Sequence, residues 1–269
     1  MLNILKYILL GIIQGFTEPL PISSSGHIFI LKKILNANEI LNDLNFEIIV
    51  NFGSLIAIII IYFDDLKKLI TNFFKYFKIK NGETRNDFKY TLLIILGCIP
   101  VGIAGFLLKD RIENLLQTPF IIGISFIITA LFLFLVRNIN GSKESKNLTW
   151  KDALFIGLIQ VIALLPGISR SGSTLIAALF RNIKRSDALK YSFMLYIPIS
   201  IGTMILSIKD LITSNSINNL ILPYTLGFIS SFIVSYFTLK WFINSVKKGN
   251  LIYFSIYCLI LGIFIMILF

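Results

Sequence analysis

Two short polar breaks, each set between apolar segments too short to cross a bilayer, constrain this chain more than any other feature. The first is Thr17-Glu-Pro-Leu-Pro-Ile-Ser-Ser-Ser-Gly-His27; the second is Pro166-Gly-Ile-Ser-Arg-Ser-Gly-Ser-Thr174. Apolar runs at 4–16 and 152–165 precede them, and second short runs follow near 27–36 and 173–181. Such a run makes about 20 Å of helix, against a hydrocarbon core of about 30 Å. A half-length helix, a break and another half-length helix predict a re-entrant hairpin that enters and leaves on one face. Polar backbone at membrane depth is tolerated only where protein buries it or it lines a wet cavity. Ionisable groups there mark functional sites, and two such breaks in matching halves of a chain point to one shared site.

Composition agrees with a membrane solvent. Of 269 residues, 56% are hydrophobic and 14% charged, where a soluble domain has about 25% charged. Mean hydropathy is +0.83. The net charge of +11 does not indicate a nucleic-acid partner, because Lys and Arg sit in loops between apolar runs. They serve topology and attraction to membrane lipids. Cys98 and Cys258 lie within apolar runs with no metal-ligand spacing, which excludes a zinc site or disulfide framework. The N-terminal run carries Lys6, has no small-residue cleavage site and leads straight into the first break, so it is expected to be retained.

Six runs are long enough to cross: roughly 45–63, 87–108, 119–137, 188–208, 220–243 and 251–269. The expected fold is an all-α polytopic membrane protein, with six transmembrane helices plus two re-entrant helix-loop-helix hairpins. The halves repeat. Gly11-Ile-Ile-Gln14 matches Gly157-Leu-Ile-Gln160, and Ile22-Ser-Ser-Ser-Gly26 matches Ile168-Ser-Arg-Ser-Gly172, both at an offset of 146; Asp65-Leu66 matches Asp210-Leu211 at 145. One hairpin plus three crossings per half makes an inverted-topology repeat. The single membrane domain, 1–269, divides into repeat 1 at about 1–138, repeat 2 at about 152–269 and a cytoplasmic linker at about 139–151. Setting Arg170 aside, eighteen basic residues fall on one side and six (Lys6, Lys32, Lys33, Lys109, Arg111 and Lys209) on the other. The positive-inside rule puts the larger set in the cytoplasm and both termini outside. The many-lysine segment 64–88 reads as a solvated connection lying partly along the headgroups. Gly97, Gly102, Ala104 and Gly105 predict close helix packing; a homodimer is left open by the sequence.

The breaks carry the chemistry. Gln14 and Glu18 share a helix face at i, i+4, and Pro19 places Glu18 at the helix end. A carboxylate at that depth needs a cation, a proton or a donor: it is a metal ligand, a general base or the ion-pair partner of Arg170. Ser23, Ser24 and Ser25 precede Gly26 and a new helix, where a serine caps the helix and the free N–H groups form an anion site. His27, the one imidazole of the chain, suits proton transfer near neutrality. Arg170, between Ser169 and Ser171 and followed by Gly172, suits phosphate oxygens; Thr174 offers a further hydroxyl.

Gln14-x-x-x-Glu18, Leu20-Pro-Ile-Ser-Ser-Ser-Gly-His27 and Pro166-Gly-Ile-Ser-Arg170-Ser-Gly-Ser-Thr174 resemble the two motifs of the undecaprenyl-pyrophosphate phosphatases of the bacitracin-resistance type. Gly53 and Ser192-Phe-x-Leu-x-Ile-Pro198 extend the similarity over nearly the whole chain. The resemblance implies a bacterial plasma-membrane enzyme that removes the terminal phosphate of undecaprenyl diphosphate, with its site open to the outer leaflet. It also implies a divalent cation, Mg²⁺ or Ca²⁺. It assigns Gln14 and Glu18 to the first-motif acids, Ser24 and His27 to its Ser and His, and Arg170 to the second-motif Arg. Gln14 stands where the family has Glu or Gln, and Pro19 where an apolar residue is expected. The nucleophile is open among Ser24, His27 and metal-bound water. The rival class is a polyprenyl-phosphate flippase or anion transporter on the same inverted-repeat plan.

Overall fold

The computed structural model describes residues 2–35, 44–113, 118–213 and 217–269, with side chains at 2, 3, 44, 109–113, 207–213 and 217–219 left aside. Lys109, Arg111 and Lys209 of the topology count, and Asp210-Leu211 of the repeat match, therefore lie outside the described side chains. The described residues form helices throughout, joined by turns and one short 3-10 segment. They run α1 Leu2–Thr17, α2 Ser24–Ile34, α3 Leu44–Ile61, α4 Phe63–Lys75, α5 Gly82–Glu113 and α6 Pro119–Val136. After the linker come α7 Trp150–Ile162, α8 Arg170–Phe180, α9 Arg185–Thr213, α10 Ile217–Lys247 and α11 Leu251–Leu268.

Among the described residues, five stretches are long and apolar enough to cross a membrane: Gly82–Leu108, Pro119–Val136, Arg185–Leu206, Leu220–Lys247 and Leu251–Leu268. A sixth counts if α3 and α4 are taken together, but they bend by 74° at Tyr62. The segment 64–88, read from the sequence as a solvated connection, thus begins with a helix of its own. Asp64 and Asp65 sit in the first turn of α4 and Lys75 in its last, which suits the helix dipole. Leu69 is buried while Phe63, Ile70 and Phe74 are exposed.

The short pairs α1–α2 and α7–α8 have 16 and 11, and 13 and 11 residues, and the helices of each pair pack together. Chain chemistry sets their breaks. Pro19 and Pro21 end α1, with the Glu18 N–H still donating to Gln14 O at 2.9 Å. Ser23 and Ser169 cap α2 and α8, each hydroxyl accepting from the glycine N–H three residues on, at 3.3 and 3.0 Å. A capping box of Thr149 and Asp152 starts α7.

The two halves interlock through glycines. α1 lies on α10, and a Cβ at Gly11 would sit 2.3 Å from Gly227 O; α7 lies on α5, and a Cβ at Gly157 would sit 2.4 Å from Gly97 O. Gly123 of α6 and Gly262 of α11 face each other with Cβ-to-carbonyl distances of 2.9 and 2.8 Å. Gly11 and Gly157, the sequence-matched pair, thus each dock on a long helix from the other half. Gly102 and Gly105 have nothing within 4 Å among the described residues, so of the glycines of α5 expected to pack closely only Gly97 does so there. Hydroxyls reinforce the same seam: Ser54, Ser231 and Ser235 bond in a buried chain at 2.9 and 2.8 Å, and Ser235 donates to Gly15 O.

Asp152, fully buried, closes the base of the second hairpin. It accepts from Arg181 Nε at 2.7 Å and from Lys143 Nζ at 3.0 Å, and caps Thr149. One carboxylate therefore ties the start of α7, the end of α8 and the linker together.

Candidate active site

The tips of the two hairpins meet. Ser171 Oγ donates to Leu20 O at 3.1 Å and lies 3.4 Å from Glu18 O, and a Cβ at Gly172 would touch Pro21. The N-termini of α2 and α8 therefore both end at the junction. Helix α6 supports both tips: Ser125 Oγ bonds Pro166 O at 3.0 Å behind the second, while Phe126 packs on Gly26 and edge-on to His27 in the first. Gly167, at φ +85°, lies against Ser125, a backbone conformation that suits glycine.

Four of the expected residues come together there. Glu18 is the hub. Gln14 Nε2 donates to its Oε2 at 3.0 Å, the Ser24 hydroxyl donates to the same oxygen, and Arg170 Nη2 lies 3.5 Å from Oε1. The Arg170 guanidinium lies over the Tyr196 ring at 4.8 Å and bonds Ser200 Oγ at 3.3 Å. Its side chain stays 27% exposed against 7% for Glu18, which leaves it open to an anion.

The remaining expected residues lie around this cluster in different ways. Ser23 holds a backbone φ of +66°, a region costing a non-glycine residue about 1–3 kcal/mol and frequent at functional sites. Ser25 is exposed, with Oγ 3.4 Å from Ser23 Oγ. Ser169 Oγ bonds Ser171 Oγ at 3.3 Å besides capping Gly172. Thr174 does not join the others: its hydroxyl is engaged with Arg170 O and Ser192 Oγ inside the protein.

His27 faces elsewhere. Its Nδ1 lies 2.7 Å from Ser23 O, and its Nε2 lies 2.7 Å from Tyr257 Oη. A carbonyl only accepts, so Nδ1 carries a proton; in the neutral ring Nε2 then accepts from Tyr257 Oη. The imidazole also lies parallel to the Tyr257 ring, 5.7 Å between centroids.

Sequence reasoning missed Tyr196, Ser200, Asn51 and Tyr257. Tyr196 Oη donates to Asn51 Oδ1 at 3.2 Å while its ring carries Arg170. The available signal was polar residues inside apolar crossings, above all Asn51 in α3 and Ser200 two residues after Pro198.

No three His, Cys, Asp or Glu residues group to hold a metal among the described residues. One carboxylate with a neighbouring amide and hydroxyl does not make a closed protein cage. It does fit a cation that keeps water and substrate phosphate oxygens as its other ligands, as Mg²⁺ commonly does.

Comparison with known proteins agrees over the full length. The family model described as Bacitracin resistance protein BacA matches residues 7–264. Undecaprenyl-diphosphatase 1 of Bacillus cereus is 43% identical over 264 residues, covering 98% of this chain and 97% of its own. Undecaprenyl-diphosphatase 1 of Bacillus licheniformis is 43% identical over 267 residues, covering 99% and 98%. The undecaprenyl-diphosphatase of Oceanobacillus iheyensis is 42% identical over 267 residues, covering 98% and 96%. With both motifs at one junction and the match running almost end to end, this chain belongs to the bacitracin resistance protein BacA family.

Proposed function

We propose that this chain hydrolyses undecaprenyl diphosphate to undecaprenyl phosphate and inorganic phosphate in the bacterial plasma membrane, recycling the lipid carrier of cell-wall synthesis. The observation that carries the reading is the convergence of Arg170, Glu18 and Ser24 where two helix N-termini meet. The diphosphatase names of relatives at 43% identity support the same reaction.

The architecture read here is six crossings and two re-entrant hairpins in an inverted repeat, about 1–138 and 152–269, joined by a cytoplasmic linker at 139–151. The exchanged docking of Gly11 on Gly227 and Gly157 on Gly97 supports it. The basic-residue bias puts both termini outside and opens the site to the outer leaflet. The polyprenyl tail stays in lipid between helices while the diphosphate reaches the junction.

Diphosphate hydrolysis is mostly positioning and charge stabilisation. Arg170 and the N–H groups at the starts of α2 and α8 take the phosphate oxygens. Ser24 Oγ attacks the terminal phosphorus in line. Its O–P bond forms as the bond to the bridging oxygen breaks, and undecaprenyl phosphate leaves. The Ser24 proton passes to Glu18, which already accepts it as a hydrogen bond. Water then cleaves the phosphoserine, releasing inorganic phosphate and restoring the hydroxyl. His27 takes a proton-transfer role only after Tyr257 releases Nε2, which also disfavours His27 as nucleophile. A divalent cation, Mg²⁺ or Ca²⁺, held by Glu18 and Gln14, would supply counter-charge to the phosphates. Phosphate release from undecaprenyl diphosphate in detergent micelles tests the reading: a carrier has no second compartment there and releases none.

A further inference from the structure

Against the first hairpin lies a cavity of about 500 Å³ that Arg170 does not line. Its inner wall is Leu20 and Ile22, the apolar neighbours of Pro19 and Pro21 at the hairpin tip. Trp241 of α10 and Tyr257 of α11 form the sides, and Trp241 is 53% exposed, so the cavity opens sideways toward lipid. At the far end the α10–α11 turn brings Lys248 and Asn250 to its rim. Lys248 has no carboxylate partner among the described residues. The seven steps from Asn250 to Tyr257 rise about 10 Å along α11, so the mostly apolar interior is capped at one end by a cation and an amide.

We infer that this cavity is a binding site for an anionic phospholipid, its acyl chain against Leu20, Ile22 and Trp241 and its headgroup phosphate at Lys248. The lining is mostly apolar, with Asn244 and Ser245 joining Lys248 and Asn250 as its polar groups; a wholly polar ligand would leave the apolar wall unused, and a wholly apolar one the ammonium and amides. The volume falls in the range of built ligand pockets, about 300–1,000 Å³. The occupant would rest against Tyr257, the residue that holds His27 Nε2, although this site is separate from the one that takes the diphosphate.

The chain has two tryptophans, so Trp150→Phe leaves Trp241 as the only reporter. That variant, reconstituted in vesicles of phosphatidylcholine with either brominated phosphatidylglycerol or brominated phosphatidylcholine at equal mole fraction, reports which lipid lies against Trp241. We expect about a fivefold preference for the anionic lipid, the effect of one lysine near a headgroup. Lys248→Gln brings the preference close to one, and Lys247→Gln, at a position that does not line the cavity, leaves most of it. Equal quenching by the two lipids in the parent overturns the assignment. So does an equal loss in both lysine variants, which would make the effect one of general surface potential. Displacement of brominated phosphatidylglycerol by a small mole fraction of polyprenyl phosphate would give the cavity to the reaction product instead. Phosphate release by Lys248→Gln in phospholipid-free micelles should stay at the parent level, which keeps this test apart from that of the catalytic reading.

Discussion

Arg170 Nη2 and Glu18 Oε1 lie 3.5 Å apart across 152 positions of sequence. A charge-assisted N–H···O bond settles at about 2.7–2.9 Å, so this pair is loose. Arg170 is already supported from behind by the Tyr196 ring and Ser200. A phosphate can take its open face without stranding the guanidinium. Arg170→Ala should therefore lower the rate of phosphate release about 10²–10³-fold, the usual cost of one preorganised charge donor. Arg170→Lys should restore only part, since a point charge lacks the planar fork. Near-normal turnover in Arg170→Ala micelles would remove it from the phosphate site.

Ser24 and His27 are separable. Ser24 already donates its proton to Glu18, whereas both His27 nitrogens are engaged by Ser23 O and Tyr257 Oη. Acid quenching during turnover should trap an acid-stable phosphoserine, and Ser24→Ala should lose at least about 10³-fold in kcat. An acid-labile phosphate adduct that survives Ser24→Ala would make His27 the nucleophile.

Tyr257 restrains His27, so Tyr257→Phe should alter the reaction without abolishing it. Loss of one hydrogen bond is worth about 1 kcal/mol, or roughly fivefold in rate. Because a donor to the unprotonated Nε2 is lost, the ring takes a proton more readily, so the limb attributable to His27 should move to higher pH, while KM for the lipid stays put. A pH–rate profile identical to that of the parent would show that the contact has no part in turnover.

Glu18 and Gln14 should make activity depend on a divalent cation. Chelation should stop phosphate release, and Mg²⁺ or Ca²⁺ should restore it. Glu18→Gln should stay inactive at any cation concentration, because it removes both the only carboxylate of the cluster among the described residues and the acceptor of the Ser24 proton. Full activity in chelator would leave Glu18 with the proton-transfer role alone.

Much of this was legible in the sequence, for physical reasons that also mark where legibility ended. Pro19 and Pro21 forbid a continuous helix, and the Ser23–Ser25 run announces a helix start, so both breaks could be found, although α2 and α8 begin three residues before the expected runs near 27 and 173 and α7 ends three before 165. The bend at Tyr62 could not be found. An apolar run passing into Phe63-Asp-Asp-Leu reads as the end of a crossing, and although the apolar residues of 63–75 recur at helical spacing, the 74° turn that sets this helix apart depends on how it packs. Glu18 with Arg170 follows from charge at membrane depth. Tyr196 and Tyr257 carry no such signal, because a tyrosine in an apolar helix looks like core until its neighbours are known. Thr174 shows the converse: the right residue type beside the motif, turned inward to Ser192.

The glycine contacts give the repeat a direct mechanical test. Gly11 and Gly157 match in sequence, and each meets a backbone carbonyl of the opposite half within 2.4 Å of where a Cβ would go. Backbone on a packed helix cannot move aside as a flexible side chain can, so alanine at either position must separate α1 from α10, or α7 from α5. Overpacking of this kind costs about 1–3 kcal/mol. Gly102, with nothing within 4 Å among the described residues, supplies the control: alanine there should be neutral or stabilising by up to about 1 kcal/mol through helix propensity alone. Thermal unfolding in detergent should therefore fall for Gly11→Ala and for Gly157→Ala by similar amounts, and hold or rise for Gly102→Ala. A large drop for one of the matched pair and none for the other would mean that the two halves do not interlock by the same contact, and would break the inverted repeat as an account of this fold.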